Sequence, residues 1–467
     1  MERKVDTYTL QCIALLKLDM FPGVRSMSRI LIVCFDGLNR KAVEKYNLEE
    51  LKQVEYGDVI TGSGMLSAAL WSSFVTGEPP TKHGIVGWKN EALDNPSYFE
   101  DQGFKTIVSH AEKPIVQYFP FLDPRWKSMY LGIEHKPKEE IIRRNRQVFL
   151  ESLEKIKSLD YDLFLVCFML IDNLAHIGSL DEDAYHLAES WVRQLKEYGK
   201  PDWTLVIGDK DPHHHHPGYY SSSRKLKLNN PYWRDFHRII TGVMDMLKAT
   251  AKSNEIIEEA LRRYKKIGVA FSGGTDSLVL LHLVLAYKPD IPVIFVNTYH
   301  QFPETYEFVR EIKEKWNLNL YEFKAERNRY VEFKEKYGDS KDFYIQCCLY
   351  HKIQPLLNGI KELGLDALFV GIRGVEHEER AKEKVFSPRD NPPHTRVHPL
   401  LHWTRQNVLD YVMFYDLPTN PLYRIGYTSL GCFPCTQPNP DPSKHERFGR
   451  ARVREAHMRV LREAGYT

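Results

Sequence analysis

Two sets of residues in this chain have types and spacing that can do chemistry with metals, and one with phosphate. Cys347 and Cys348 are adjacent, and Cys432 and Cys435 follow as a CxxC pair. Four thiolates converging on one soft centre make a metal site. A CxxC turn supplies two of them on one loop. Adjacent cysteines point in different directions, so using both strains the local backbone. A structural Zn(Cys)4 site is the alternative, although paired CxxC knuckles are its usual source and CC plus CxxC is not that pattern. In the first half, Asp36, Asp172 and Asp209 each follow a short apolar run, and His176 lies four residues beyond Asp172. Carboxylates gathered at one sheet edge suit divalent cations, and an i, i+4 Asp–His pair shares one helix face. The phosphate candidate is Ser272-Gly273-Gly274-Thr275-Asp276-Ser277. Its glycines let the backbone bend and approach closely, and its serines add hydroxyl donors.

The elements that must position these residues are buried strands and the helices after them. Ile267–Phe271 reads as a buried parallel strand, and Leu278, Leu281 and Leu285 repeat at helical spacing. Strand, glycine turn and helix present free backbone N–H groups and a helix N-terminus to an anion. The spaced second Gly followed by Lys of a Walker loop is absent. Further strands are expected at 29–35, 162–169, 203–207, 291–297 and 318–323. A helix is expected at 65–88, broken at Gly77-Glu78-Pro79-Pro80. The alternation gives an α/β fold of two domains, each a mostly parallel sheet flanked by helices. The boundaries expected are an extension over 1–28, a first domain over 29–225, a connector of two helices over 226–263, a second domain over 264–438 and a basic helical tail over 439–467.

The second half resembles the PAPS/APS (sulfonucleotide) reductases of the PP-loop ATP-pyrophosphatase superfamily. The SGGTDS loop, VNTYHQFPETYEFV, GIRGVEHEER, VHPLLHWTRQNVLDY and YRIGYTSLGCFPCT carry the likeness, in that order. The resemblance implies an adenine nucleotide alpha-hydrolase-like fold and a nucleotide (PAPS, APS or ATP) on Ser272–Ser277. It implies Arg373 and Arg380 near the phosphate or sulfate, and a [4Fe–4S] cluster on Cys347, Cys348, Cys432 and Cys435. Arg373 is also expected to be able to fork an anion directly; a helix-end ion pair with Glu376 or Glu379 is the plainer alternative. Such reductases carry a nucleophilic thiol in a C-terminal Glu-Cys-Gly motif, later released by a thioredoxin-like reductant. Here no cysteine follows Cys435.

The first half resembles the type I phosphodiesterase/nucleotide pyrophosphatase branch of the alkaline phosphatase superfamily. FDGL, SSFVTGxxPxxHGI and the DxxxH pair carry that likeness. It implies Asp36, Asp172 and His176 as ligands of one metal and Asp209 of a second (Zn, Mn or Mg). It places Ser67 at the nucleophile position, and His216 closest to the last ligand. The expected chemistry is two metals holding a phosphate while an activated hydroxyl attacks phosphorus. Lys210 departs from it, standing where the branch has His. Two states are therefore open: an active domain, or one that keeps the fold and has lost two-metal chemistry. The run His213–His216 also reads as an exposed polar turn.

Composition bounds these expectations. The chain has 467 residues and a formal charge of +2, which argues neither for nor against nucleic acid. The Arg-rich tail is expected to be a solvated basic face rather than a nucleic-acid contact. No apolar run is long enough for a membrane helix, and the first residues lack a signal-peptide cleavage pattern; Met20 and Met27 are alternative starts. Seven cysteines without a disulfide framework indicate a reducing, cytoplasmic setting. The function expected is a sulfonucleotide reductase-family enzyme with an iron–sulfur site fused to a phosphodiesterase-like domain. An ATP-dependent, pyrophosphate-releasing sulfur transferase is the alternative, and a non-catalytic nucleotide-binding regulator is a third.

Overall fold

The structure, a computed structural model, describes residues 29–62, 65–88, 95–130, 133–210, 217–441 and 443–466. The ligand expected at His216 and the extension 1–28 lie outside these residues. Two compact units divide between Leu247 and Lys248.

The N-terminal unit is built on a six-stranded sheet ordered β2-β6-β5-β1-β4-β3. Its strands are β1 (Ile30–Phe35), β2 (Glu55–Val59), β3 (Pro114–Gln117), β4 (Leu163–Phe168), β5 (Trp203–Gly208) and β6 (Gly218–Ser222). The apolar runs of β1, β4 and β5 are buried along their whole length, as strands covered on both faces must be. They pair in parallel, with Cys34 opposite Cys167, both buried. β6 pairs antiparallel to β5 and to β2, an edge that the sequence reading did not include.

The C-terminal unit carries a second six-stranded sheet, ordered β11-β12-β10-β7-β8-β9. Its strands are β7 (Ile267–Ala270), β8 (Val293–Asn297), β9 (Leu320–Lys324), β10 (Ala367–Phe369), β11 (Phe386–Asp390) and β12 (Pro393–Val397). Every pairing in it is parallel except β11 with β12. Both sheets are therefore mixed and mostly parallel. The helix after β7, Thr275–Tyr287, is buried on nearly all sides, which accounts for its continuous apolar sequence.

Two expectations are corrected. The connector is one helix, Asp235–Arg263, not two; Ser253 within it is buried, and its hydroxyl donates to Ala249 O and Pro399 O. The tail is not a solvated Arg face. Arg447, Arg450 and Arg454 are buried, and the last turns pack Met458 and Leu461 against Ile353.

Candidate functional site

In the C-terminal unit the turn after β7 is shaped by Gly273, whose φ of +77° lies in the left-handed region. Ser277 Oγ accepts from Ser272 N at 3.2 Å and donates to Gly274 O. Thr275 N, at the helix N-terminus, donates to the Tyr423 hydroxyl at 3.1 Å. The loop lines a cleft with about 1330 Å3 of empty space, its open mouth included. Arg380, Arg405, Arg447, Arg450 and Lys352 add positive charge to its walls. A cleft with a helix N-terminus at its floor and guanidinium groups along its sides suits a phosphorylated nucleotide.

Arg373, expected at the ligand, is not in that wall. Its side chain is 0 % exposed; Nε donates to Asp276 Oδ1 at 2.7 Å and Nη2 to Glu446 at 2.7 Å. It bridges Asp276, in the loop itself, and Glu446, both of which line the cleft. Asp276 is nonetheless pushed up to about 6, by burial first and then by Glu376, against the pull of Arg373. Arg380 is bonded to Glu376 and does line the cleft.

The four cysteines line one smaller cavity beside the cleft, with about 480 Å3 of empty space. Cys347 and Cys348 end the helix Lys341–Cys348, which widens at once into a π-helical turn, Leu349–Ile353. That widening is a recurrent mark of functional positions. Cys435 N donates to Cys432 O at 2.9 Å, and Ala451 N donates to Cys435 O. Thr298, Lys352, Cys432 and Arg450 belong to both cavities, so the two share a wall.

The donor set fits an iron–sulfur cluster. Burial pushes Cys435 up to about 11 and Cys347 higher still, and in each case neighbouring thiols add to the rise. Four thiolates repel one another until metal charge offsets them. Arg450 is buried, and its Nε and Nη1 have no hydrogen-bond partner among the described residues. Its guanidinium is pulled down to about 10 by burial and by Arg454 and Arg447, so an anionic group beside it would relieve the crowding. Among the described residues, no three His, Cys, Asp or Glu side chains are drawn together as a ready cage for one ion. A cluster asks for something different, since each thiolate binds its own iron.

Residues 266–438 match the family model for the phosphoadenosine phosphosulfate reductase domain. The chain is 35% identical over 205 residues to the adenosine 5'-phosphosulfate reductase of Staphylococcus haemolyticus, covering 43% of this chain and 83% of that one. The chain belongs to the phosphoadenosine phosphosulfate reductase family. It is also 33% identical over 190 residues to the phosphoadenosine 5'-phosphosulfate reductase of Alkalilimnicola ehrlichii, covering 39% of this chain and 76% of that one. Among solved structures, the phosphoadenylyl-sulfate (PAPS) reductase of Candida auris is 25% identical and covers 40% of this chain and 90% of that one, with a TM-score of 0.35.

The tail reads Glu463-Ala464-Gly465. Gly465 and Tyr466 line the cleft. Arg396 Nη2 donates to Gly465 O at 2.8 Å and Lys352 Nζ to the Tyr466 hydroxyl at 3.2 Å. Arg447 and Arg450 were missed because buried and solvated arginines look alike in sequence.

The second candidate site lies in the N-terminal unit, at the C-terminal ends of β1, β4 and β5. It gathers four expected residues, all buried: Asp36, Ser67, Asp172 and Asp209. Ser67 opens the helix Ser67–Thr76, and its Oγ donates to Asp36 Oδ1 at 3.4 Å. Gly37 N donates to Asp209 Oδ1 at 3.0 Å, and Asp172 N to Asp36 O at 3.2 Å. Gly208 permits this approach, because a Cβ there would meet Leu38 O at 2.2 Å. Burial pushes the carboxyls of Asp36 and Asp209 up, and for Asp36 the charges of Asp209 and Asp172 add to the rise. His176 stands at the rim, Nε2 at 3.3 Å from Asp172 Oδ2, which raises its pKa. Carboxylate oxygens are the donors that hard divalent cations take, but among the described residues Asp36, Asp172 and Asp209 are not drawn together round one point.

Proposed function

We propose that the C-terminal unit is a sulfonucleotide reductase that binds APS or PAPS on Ser272–Ser277, with a [4Fe–4S] cluster on Cys347, Cys348, Cys432 and Cys435. The observation that carries this reading is the wall of Thr298, Lys352, Cys432 and Arg450 common to the nucleotide cleft and the cysteine cavity. When bound, the cluster would place charge close to the sulfonate end of the nucleotide. The chain's own residues bind and orient: backbone N–H groups of the loop take a phosphate, and Arg447 and Arg450 face the leaving anion. In this reading the attacking thiol comes from a separate dithiol, such as a thioredoxin-like protein. Its thiolate bonds to the sulfonate sulfur as the sulfur–oxygen bond to the nucleotide breaks, releasing AMP or its 3'-phosphate. The second thiol then attacks, leaving a disulfide and sulfite. The test is anaerobic sulfite release from APS or PAPS with dithiothreitol. Sulfite formation lost in Asp276→Ala supports the reading; binding of neither nucleotide overturns it.

The intact SGGTDS loop beside a thiol-free tail favours a second reading, an ATP-dependent sulfur transferase. It requires ATP to bind at least as tightly as PAPS and to yield pyrophosphate in the presence of a sulfur acceptor. If neither reaction runs although nucleotide binds, a regulatory role is what remains.

For the N-terminal unit we propose a phosphodiesterase-like role, with Ser67 as nucleophile beside Asp36. It is supported by the Ser67 hydroxyl's bond to Asp36 and by Asp172 and Asp209 lying at the same sheet edge. Hydrolysis of bis(p-nitrophenyl) phosphate with Mn2+, abolished by Ser67→Ala, is the check.

A further inference from the structure

The first donor of the phosphate-loop helix is already engaged. Thr275 N, at the start of the helix Thr275–Tyr287, donates to the Tyr423 hydroxyl at 3.1 Å. The phenol oxygen lies over the glycine turn, 3.5 Å from where a Cβ on Gly274 would stand, and Tyr423 lines the cleft. A hydroxyl that accepts from the backbone keeps its own proton to give. Burial pushes this phenol up, so it holds that proton at neutral pH.

The surroundings fix the ring. Tyr423 sits in the short turn Pro421–Ile425, where Asn420 Oδ1 accepts from Leu422 N at 3.1 Å. Asn420 Nδ2 donates to Thr305 Oγ1 at 3.1 Å, and both residues are buried. Thr305 in turn packs on the loop, for a Cβ on Gly273 would meet its Cγ2 at 3.0 Å. Tyr423 is thus tied to the glycine turn by a second route. The walls of the cleft call for an anion: Arg450 lines it, is 6 % exposed, and has no hydrogen-bond partner for Nε or Nη1 among the described residues.

We propose that Tyr423 carries the pull of the helix N-terminus to the nucleotide: its phenol takes the Thr275 N–H and gives its own proton to a phosphate oxygen. This rests on nucleotide binding at Ser272–Ser277 and names a donor within it. Hydrogen bonds in a chain polarise one another, so a phenol that accepts at a helix N-terminus donates more strongly than a free one. The opposite role would make the phenol a stand-in for a phosphate oxygen, which the ligand must displace. The two roles predict opposite signs when the hydroxyl is removed.

Isothermal titration calorimetry of the full-length protein with AMP and with adenosine tests this, because the two probes differ by the phosphate alone. The unmodified chain is expected to prefer AMP. Tyr423→Phe keeps the ring and loses the hydroxyl. It is expected to cut that preference about tenfold, as the loss of one hydrogen bond to a charged group does, and to leave adenosine affinity where it was. Circular dichroism checks the fold. A preference that is unchanged, or absent in the unmodified chain, overturns the donor role; so does a larger one, which shows the phenol to be a plug on Thr275 N. In these cases nucleotide binding at the loop stands. If AMP, APS and PAPS all fail to bind the unmodified chain, both readings fall.

Discussion

Arg373 Nε donates to Asp276 Oδ1 at 2.7 Å while Nη2 of the same guanidinium donates to Glu446 Oε2 at 2.7 Å. One buried cation thus ties the phosphate-loop helix to the tail segment that carries Arg447 and Arg450.

Removing that cation leaves Asp276 without the guanidinium that holds it and Glu446 with Arg405 as its remaining ion pair. Arg373→Met is expected to destabilise the C-terminal unit by about 3–5 kcal/mol, the usual consequence of breaking a buried ion pair from one side. Urea denaturation followed by fluorescence reads the loss. Arg373→Lys should recover only part of it, because an ammonium lacks the planar fork that reaches both acids. A change below about 1 kcal/mol would show that the network carries little of the stability.

Tyr466 gives a pH signature. Burial alone would raise its phenol, but Arg454 first, then Lys352, Arg450 and Arg447, bring it down to about 7. The ordinary value is near 10. Between those values the unfolded chain keeps a proton that the folded chain has released, so stability rises with pH from about 7 towards 10. Near-ultraviolet difference absorbance of the nucleotide-free protein should show one tyrosinate appearing near neutrality, absent in Tyr466→Phe. A first tyrosinate only near pH 10 would contradict this.

Ala464→Cys puts a thiol into the Glu463-Ala464-Gly465 triplet, next to Gly465 at the cleft. Incubated with APS or PAPS, this variant is expected to gain the mass of one SO3 group on the introduced cysteine, and the unmodified chain is not. Intact-protein mass spectrometry decides it. If the introduced thiol stays free after incubation, the sulfonate lies elsewhere in the cleft.

The cysteine quartet is tested by content and colour. Anaerobically purified protein is expected to hold about four irons with acid-labile sulfide, and Cys432→Ser to lose them. One zinc and no visible absorbance would make the quartet a structural site instead.

What the sequence carried was the part written in apolar runs and glycines. β1, β4 and β5 are continuous buried stretches, and their ends locate Asp36 and Asp209 without help from the fold. The SGGTDS turn was equally plain, because only glycine suits the left-handed Gly273. β2 and β6 were missed: Glu55–Val59 and Gly218–Ser222 are short and mixed in polarity, and their pairing is decided by neighbours distant in sequence. The same holds for arginine. Nothing local separates Arg373, Arg450 and Arg454, which are buried, from Arg459, which is exposed. Only the acids and phenols that the fold brings to them make the difference.

The wall of Thr298, Lys352, Cys432 and Arg450 has a bearing on how the protein survives in air. If Cys432 is oxidised, by disulfide formation with Cys435 or by a step up the sulfenic–sulfinic ladder, the damage appears on both sides of the partition at once. Metal content and nucleotide affinity should then decay together, with a single half-life, and reductant should restore them together as long as oxidation stops at the disulfide.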